Sequence, residues 1–277
     1  NFTLLVDELA KLFSPPQPRL ADENKNSRRF MGNTKLGLWA KAQTKVPPSN
    51  IPKILITFAP TFNKKPLQTN KWYVTAQNDS VKIELVKLYI SNIKLYFSNG
   101  EVFNEPNSYH LLDTDQPETF NIALHNVPAH KISHIGFSLG IDSLANTAGA
   151  LEGDLDPSKG MYWAWQSGYI NLKIEGISPS CNTRKHAFEF HIGGFLPPNN
   201  ALRTTKLKVK KHRQNTLTIN MDLARFFNTI DLHTFNSIMI PGKSAMQTAD
   251  KAIKTFWQDE IKPLISGCRF IASNNSN

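Results

Sequence analysis

An antiparallel β-sandwich with a C-terminal α-helix and an N-terminal extension is the fold class that this sequence predicts. Three observations carry the prediction. Nine short runs rich in β-branched and aromatic residues follow one another between residues 51 and 222, with turn residues between them. No helical period alternates with those runs, which sets aside a doubly wound α/β fold. From residue 244 the apolar period changes to that of a helix.

Taken in order, residues 3–13 (TLLVDELAKLF) place Leu5, Leu9, Leu12 and Phe13 on one helical stripe. The segment that follows is rich in Pro, Asn and charge and reads as an arm. Residues 1–50 are therefore expected to lie outside the main fold, with Pro47-Pro48-Ser49-Asn50 as the boundary and residues 51–277 as the sandwich domain with its helix and tail. The strand runs are ILITFAP, KWYVTA, VKIELVKLYISNIKLYFSN, FNIALHNV, HIGFSLGI, GYINLKIEGI, AFEFHIGGF, TKLKVKK and NTLTINMDL. In the eighth, Lys206, Lys208 and Lys210 alternate with Leu207 and Val209, the pattern of a half-exposed strand. Ala245, Ala249, Ala252, Ile253, Phe256, Trp257 and Ile261 then form one helical face, with Ser244 placed to cap it.

The chain has 277 residues, 40% hydrophobic and 19% charged, enough apolar material to bury a core. No apolar run approaches the ~20 residues of a membrane-spanning helix. It opens Asn1-Phe2-Thr3, as a mature or truncated product would. The net charge of +10 is unevenly spread, at +4 in residues 1–50, −1 in 51–200 and +7 in 201–277. Most aromatic residues lie in the neutral middle, away from the basic ends. A nucleic-acid platform interleaves the two, so nucleic acid is not expected as a partner. The basic ends suit solvation, an acidic partner or a lipid surface. Cys181 and Cys268 lack metal spacing and form a disulfide candidate, with two unrelated thiols as the alternative.

The most unusual segment runs from Gly140 to Gly176. In extended geometry Met161, Trp163 and Trp165 point to one face, whereas Ile170, Leu172 and Ile174 have the opposite parity. Either the chain bends or bulges at Ser167-Gly168, or the Met/Trp face looks away from the main core. Core packing is the plainer account of a thioether beside two indoles. A second candidate is Phe188-Glu189-Phe190-His191-Ile192, in which His191 and Glu189 share the face opposite the apolar residues. Imidazole suits copper or zinc, a thioether suits Cu(I), and a carboxylate two positions before the His would orient its ring. Asp142, Glu152, Asp154 and Asp156 lack EF-hand spacing and read as turn-forming carboxylates. No HxH, HExxH, GxSxG, P-loop or dinucleotide fingerprint is present, so no catalytic residue is assigned and the protein is not expected to be an enzyme.

The order YISNIKLYFSNG, HLLD, IGFSLGID, GDLDPSKGMYWAWQSGYINLKIEG, FEFHIGG and SIMIPG resembles the MbnP-like family of methanobactin-associated copper-binding proteins, over residues 51–257. The resemblance implies a β-sandwich of the periplasm or of the extracellular face of the outer membrane, lipid-anchored in some members. It implies copper, with Cu(I) preferred to Cu(II), in acquisition or storage. It further implies that a tryptophan, here Trp163 or Trp165, is oxidised to kynurenine by a dihaem partner enzyme of the MauG type, with an outer-membrane transporter or surface complex as a further partner. His191 is then the leading imidazole ligand, Met161 a soft neighbour, and His134 or His110 a fallback. The family pattern places a His before the Ser of SIM-PG; Asn236 stands there, and the nearest His is His233. The alternative is a non-metal structural or accessory subunit of an outer-membrane or cell-surface complex.

Overall fold

A computed structural model describes residues 54–165, 168–210, 215–257 and 260–261. The helix expected at 3–13, the arm up to residue 50 and Cys268 lie outside the described residues.

All nine expected runs form strands. The smaller sheet is built on β1 (Ile54–Phe62), which pairs in parallel with β13 (Thr216–Asp222) and antiparallel with β7 (Asn121–Leu124) and β2 (Lys65–Pro66). The larger sheet is organised by β4 (Ser80–Phe97), eighteen residues long. Along one edge β4 pairs with β3 (Trp72–Val74), β6 (Tyr109–Asp113) and β5 (Val102–Asn104). Along the other, its first half pairs with β10 (Gly168–Ile177) and its second half with β8 (Ile132–Leu139). β10 continues into β11 (Ala187–Gly193) and β14 (Ser237–Ile238), while β8 continues into β12 (Arg203–Val209) and β15 (Glu260–Ile261). The two halves meet at a bulge where Asn92 takes φ of 53°. Pairing is mostly antiparallel as expected, but β1–β13, β11–β14 and β12–β15 are parallel.

The two sheets close face to face on one core. Ile56 and Phe58 of β1 and Leu217 and Ile219 of β13 meet Leu88, Phe137, Ile174 and Phe190 of the larger sheet. The rings of Phe58 and Phe137 are 5.4 Å apart, edge to face, across the gap. Two helices seal one end: α2 (Leu223–Phe227), capped by Asp222, and α3 (Lys243–Thr255), which buries Ala245, Ala249 and Ala252. The expected helical face is shorter than its apolar pattern. Phe256 and Trp257 follow the helix into the core, Trp257 bridging Met221, and Ile261 belongs to β15. Gly242, not Ser244, occupies the cap position; Ser244 lies within the helix, where its carbonyl accepts from Thr248 Oγ1.

A second, smaller core lies on the outer face of the larger sheet. There Tyr89, Leu111, Tyr169 and Ile170 are covered by the excursion from Ile141 to Trp163. This excursion is held by its carboxylates. Asp142 accepts from the Ala145 N–H to cap the short α1 (Ser143–Thr147) and from the Tyr109 hydroxyl; Asp154 accepts from the Leu111 N–H and from Lys159; Asp156 accepts from the Ser158 N–H. The turn reading of these residues is the observed one. Their charges are spent on backbone and lysine, and among the described residues they do not gather with other donors into a metal site.

Candidate functional site

β9 (Tyr162–Trp163) is the short arm of a hairpin with β10, with Trp163 opposite Gly168 and Tyr162 opposite Tyr169. The chain therefore reverses just after Trp163, and this resolves the conflict of parity seen in the sequence. Met161 and Trp163 point into the second core, fully and almost fully buried. Ile170 joins that core, while Leu172 and Ile174 join the main one. A register shift between Ile170 and Leu172 makes this switch possible. Trp165 does not share the buried face with the other two. It sits in the turn, 64% exposed, with its ring 5.7 Å from that of Trp163 and tilted by 45°.

The same outer face carries His191. On β11, Phe188, Phe190 and Ile192 face the main core, leaving Glu189, His191 and Gly193 on the side of the second core. A Cβ on Gly193 would stand 2.7 Å from Cζ3 and 3.1 Å from Cη2 of Trp163. The indole thus lies against the bare backbone of β11, two residues from His191 along the strand. Gly193 is required here because only a residue without a side chain leaves room for that ring.

His191 is 7% exposed. Its Nε2 lies 2.6 Å from Oε1 of Glu175 on the neighbouring β10, and Lys173 Nζ stands 3.2 Å from the same oxygen. The hydrogen bond from His191, with Lys173 beside it, holds the Glu175 carboxyl below its ordinary range against the opposing effect of burial. The orienting carboxylate is therefore Glu175 and not Glu189, which is exposed. Residues two apart on one strand stand ~7 Å from each other, whereas a neighbouring strand is within ~5 Å. A carboxylate accepts, so Nε2 carries the proton and the Nδ1 lone pair is the one left for a metal.

One residue escaped notice in the sequence. β14 runs parallel to β11 with Ser237 opposite Glu189 and Ile238 opposite Phe190, and Met239 follows directly where this ladder ends. Ile238 is in the main core, and Met239 is 41% exposed. The signal was present in SIMIPG, but only the pairing of β14 with β11 gives it meaning. Asn236, two residues before Ile238, uses its amide to donate to the Leu232 carbonyl.

A cleft of about 220 Å³ opens beside the Trp163 ring, lined by Gly168, Phe195, Leu196, Pro197 and Pro241 among others. Leu196 and Ile240 are exposed near it, at 62% and 61%. The remaining expected site residues stand elsewhere. Met161 is packed within the second core. His134, on β8, is opposite Tyr96 of β4, nine residues from Lys87, whose row leads through Lys173 to His191. That is roughly 30 Å of extended strand. His110 belongs to the face opposite that of His191, bound through Nε2 to Glu105 at 2.8 Å. Cys181 is fully buried, and burial together with the charge of Asp79 pushes its thiol up to about 11.

A family model described as MbnP matches residues 52–240, more than half of the chain, including His191, Trp163, Trp165 and Gly193. The chain belongs to the MbnP family. Among solved structures, MbnP from Methylosinus trichosporium is similar with a TM-score of 0.50 and 16% identity, covering 66% of this chain and 80% of that one. At that identity the likeness speaks for the MbnP fold. A search of curated proteins finds no match.

Proposed function

We propose that this MbnP-family protein is a copper-binding protein of the bacterial envelope, in the periplasm or at the outer face of the outer membrane, acting in copper acquisition or storage rather than catalysis. The observation that carries the reading is the shared sheet face of the His191 imidazole and the Trp163 indole, made possible by Gly193.

The donors present fit copper in part. His191 offers one imidazole nitrogen, and Met239, just past the end of the neighbouring strand, offers a thioether, donors suited to Cu(I). Among the described residues no three His, Cys, Asp or Glu side chains converge. An intact indole offers no lone pair in the ring plane, so a further donor depends on a change at Trp163. Opening the ring would insert the two oxygen atoms of dioxygen, or their equivalent from two peroxides, across its C2–C3 bond to leave a ketone at C3 and an N-formyl group, which water would hydrolyse to an aniline nitrogen and formate. A dihaem partner of the MauG class is the proposed oxidant. Its access would be through Trp165 and the apolar rim formed with Leu196 and Ile240. That rim also supports a second reading, an accessory subunit that docks to an envelope complex without metal, as does Asn236 in place of the family His.

Copper content and the peptide mass across Trp163 and Trp165 test the proposal in protein purified from its native envelope. Native protein should carry copper and a tryptophan in which one carbon is replaced by oxygen. His191→Ala should keep the modified residue and lose copper, and Met239→Leu should weaken retention of Cu(I). Undiminished copper in His191→Ala would overturn the ligand assignment; unmodified tryptophan without copper in the native protein would leave the accessory role.

A further inference from the structure

The second core concentrates side chains that can lose an electron. Trp163 meets Tyr169 and Tyr89 there, with Tyr162 and Tyr109 packed against them. The rings follow one another. Trp165, exposed at the rim, lies 5.7 Å from Trp163; Tyr162 lies 5.0 Å from Tyr169, and Tyr169 lies 5.8 Å from Tyr89. Trp163 joins the tyrosines through the β9–β10 hairpin, where it adjoins Tyr162 in the chain and stands opposite Gly168. On β6, Leu111 is opposite Tyr89, so Tyr109 is its diagonal neighbour, ~7–8 Å away and within reach of an aromatic ring.

What distinguishes these phenols is where their protons can go. A phenol that loses an electron becomes strongly acidic and must release its proton as it does so. Tyr89 donates to the Asp154 carbonyl at 2.9 Å, and Tyr169 to the Leu155 carbonyl at 2.8 Å while accepting from the Leu151 N–H. A backbone carbonyl cannot keep a proton, and burial opposes charge at both sites, as it opposes ionisation of both phenols. Tyr109 differs. Its hydroxyl donates to Oδ2 of Asp142 at 2.9 Å, within range for direct proton transfer. The other oxygen, Oδ1, holds the Ala145 N–H at the start of α1, so a proton taken on Oδ2 leaves the helix cap in place. Burial and the carboxylate push the Tyr109 phenol up to about 12, so it starts neutral. Among the described residues it is the one tyrosine of this core whose hydroxyl meets a carboxylate.

We propose that the second core is a relay for oxidising equivalents, with Tyr109 as its terminus and Asp142 as the proton acceptor. A one-electron oxidant of the high-valent metal class, arriving at the rim, takes an electron from Trp165 or Trp163 and is itself reduced by one electron. The indole radical cation is refilled across Tyr169 and Tyr89, whose rings couple the path without holding the charge. Tyr109 supplies that electron, its O–H bond breaks, and the proton passes to Asp142. The pair ends as a neutral tyrosyl radical and a neutral carboxylic acid. A soluble thiolate then returns an electron, Asp142 returns the proton, and a thiyl radical leaves. Trp163 is thereby spared a second oxidation that would fix oxygen in its ring. The relay needs no copper at His191.

A ruthenium bipyridyl photo-oxidant tied to Leu196→Cys, in the full chain carrying Cys268→Ser, starts the charge beside the Trp163 cleft. Cys181 is fully buried and stays unlabelled. Flashes with a soluble electron acceptor, followed by electron paramagnetic resonance on protein with ring-deuterated tyrosine, should give a tyrosyl radical that Tyr109→Phe abolishes. Asp142→Asn keeps a helix cap and a hydrogen-bond partner but loses the base, and should slow radical formation at least about a hundredfold. In both variants, repeated flashes in air should raise the amount of oxygenated Trp163 recovered by peptide mass. Tyr73→Phe, outside this core, should change neither readout. A tyrosyl signal that survives Tyr109→Phe, or equal rates in the parent and Asp142→Asn, would overturn the proposal. So would an unchanged yield of oxygenated Trp163 in both variants.

Discussion

Gly193→Ala adds one methyl group where β11 passes beneath the Trp163 indole. The new Cβ would stand 2.6 Å from the Tyr169 carbonyl oxygen as well as 2.7 Å from the indole. The carbonyl belongs to β10, whose position is fixed by two ladders, so it does not yield cheaply. Overfilling a packed site costs about 1–3 kcal/mol, and a clash with backbone belongs in the upper half of that range. At about 2–4 °C per kcal/mol for a domain of this size, the melting midpoint should fall by about 4–12 °C. Thermal unfolding followed by circular dichroism measures it. The Trp163→Phe background isolates the contact, because phenylalanine lacks the outer indole atoms. There the alanine should cost less, with a coupling of at least about 0.5 kcal/mol. A drop below about 1 °C, or the same cost in both backgrounds, would refute the placement of the indole on Gly193 and remove the support for a His191–Trp163 site.

Two other outcomes follow from the same structure. The Glu175 carboxyl ionises more readily folded than unfolded, so its contribution is present above the ordinary value of 4.5 and is lost as pH falls through the lower, folded value. Glu175→Gln should therefore lose less stability than the parent on acidification below about pH 4.5, as measured by denaturant unfolding across pH; parallel profiles would show that the His191 contact has no energetic effect. In a Cys268→Ser background, the buried Cys181, with its thiol raised to about 11, should resist alkylation at pH 8 until the protein is unfolded. Rapid labelling of the native state would contradict its burial.

Local pattern made the strands legible. Alternation in runs such as ILITF and KLKV reports burial of one face directly, because the side-chain period of two holds wherever a single face meets a core. The short elements were not legible. β2, β9, β14 and β15 have two residues each, too few to show a period, and exist because a longer partner supplies their hydrogen bonds. The helix pattern overran its helix for a related reason: Phe256, Trp257 and Ile261 are buried by the main core whatever their backbone conformation. At the site, the sequence singled out His191, Trp163 and Trp165 but set the two indoles on one face, since extended parity knows nothing of a hairpin.

The sequence by itself determined the β class, the nine principal strands, the apolar side of each and the family to which the chain is akin, because all of these rest on residue type and short-range period. Only the tertiary structure decided that β4 bends into two halves, that Trp163 lies on Gly193 beside His191 while Trp165 turns to solvent, that Glu175 holds the imidazole, and that β14 pairs with β11. Those are pairings between strands far apart in the chain, and no local pattern encodes which edge of β10 or β11 a distant strand will meet.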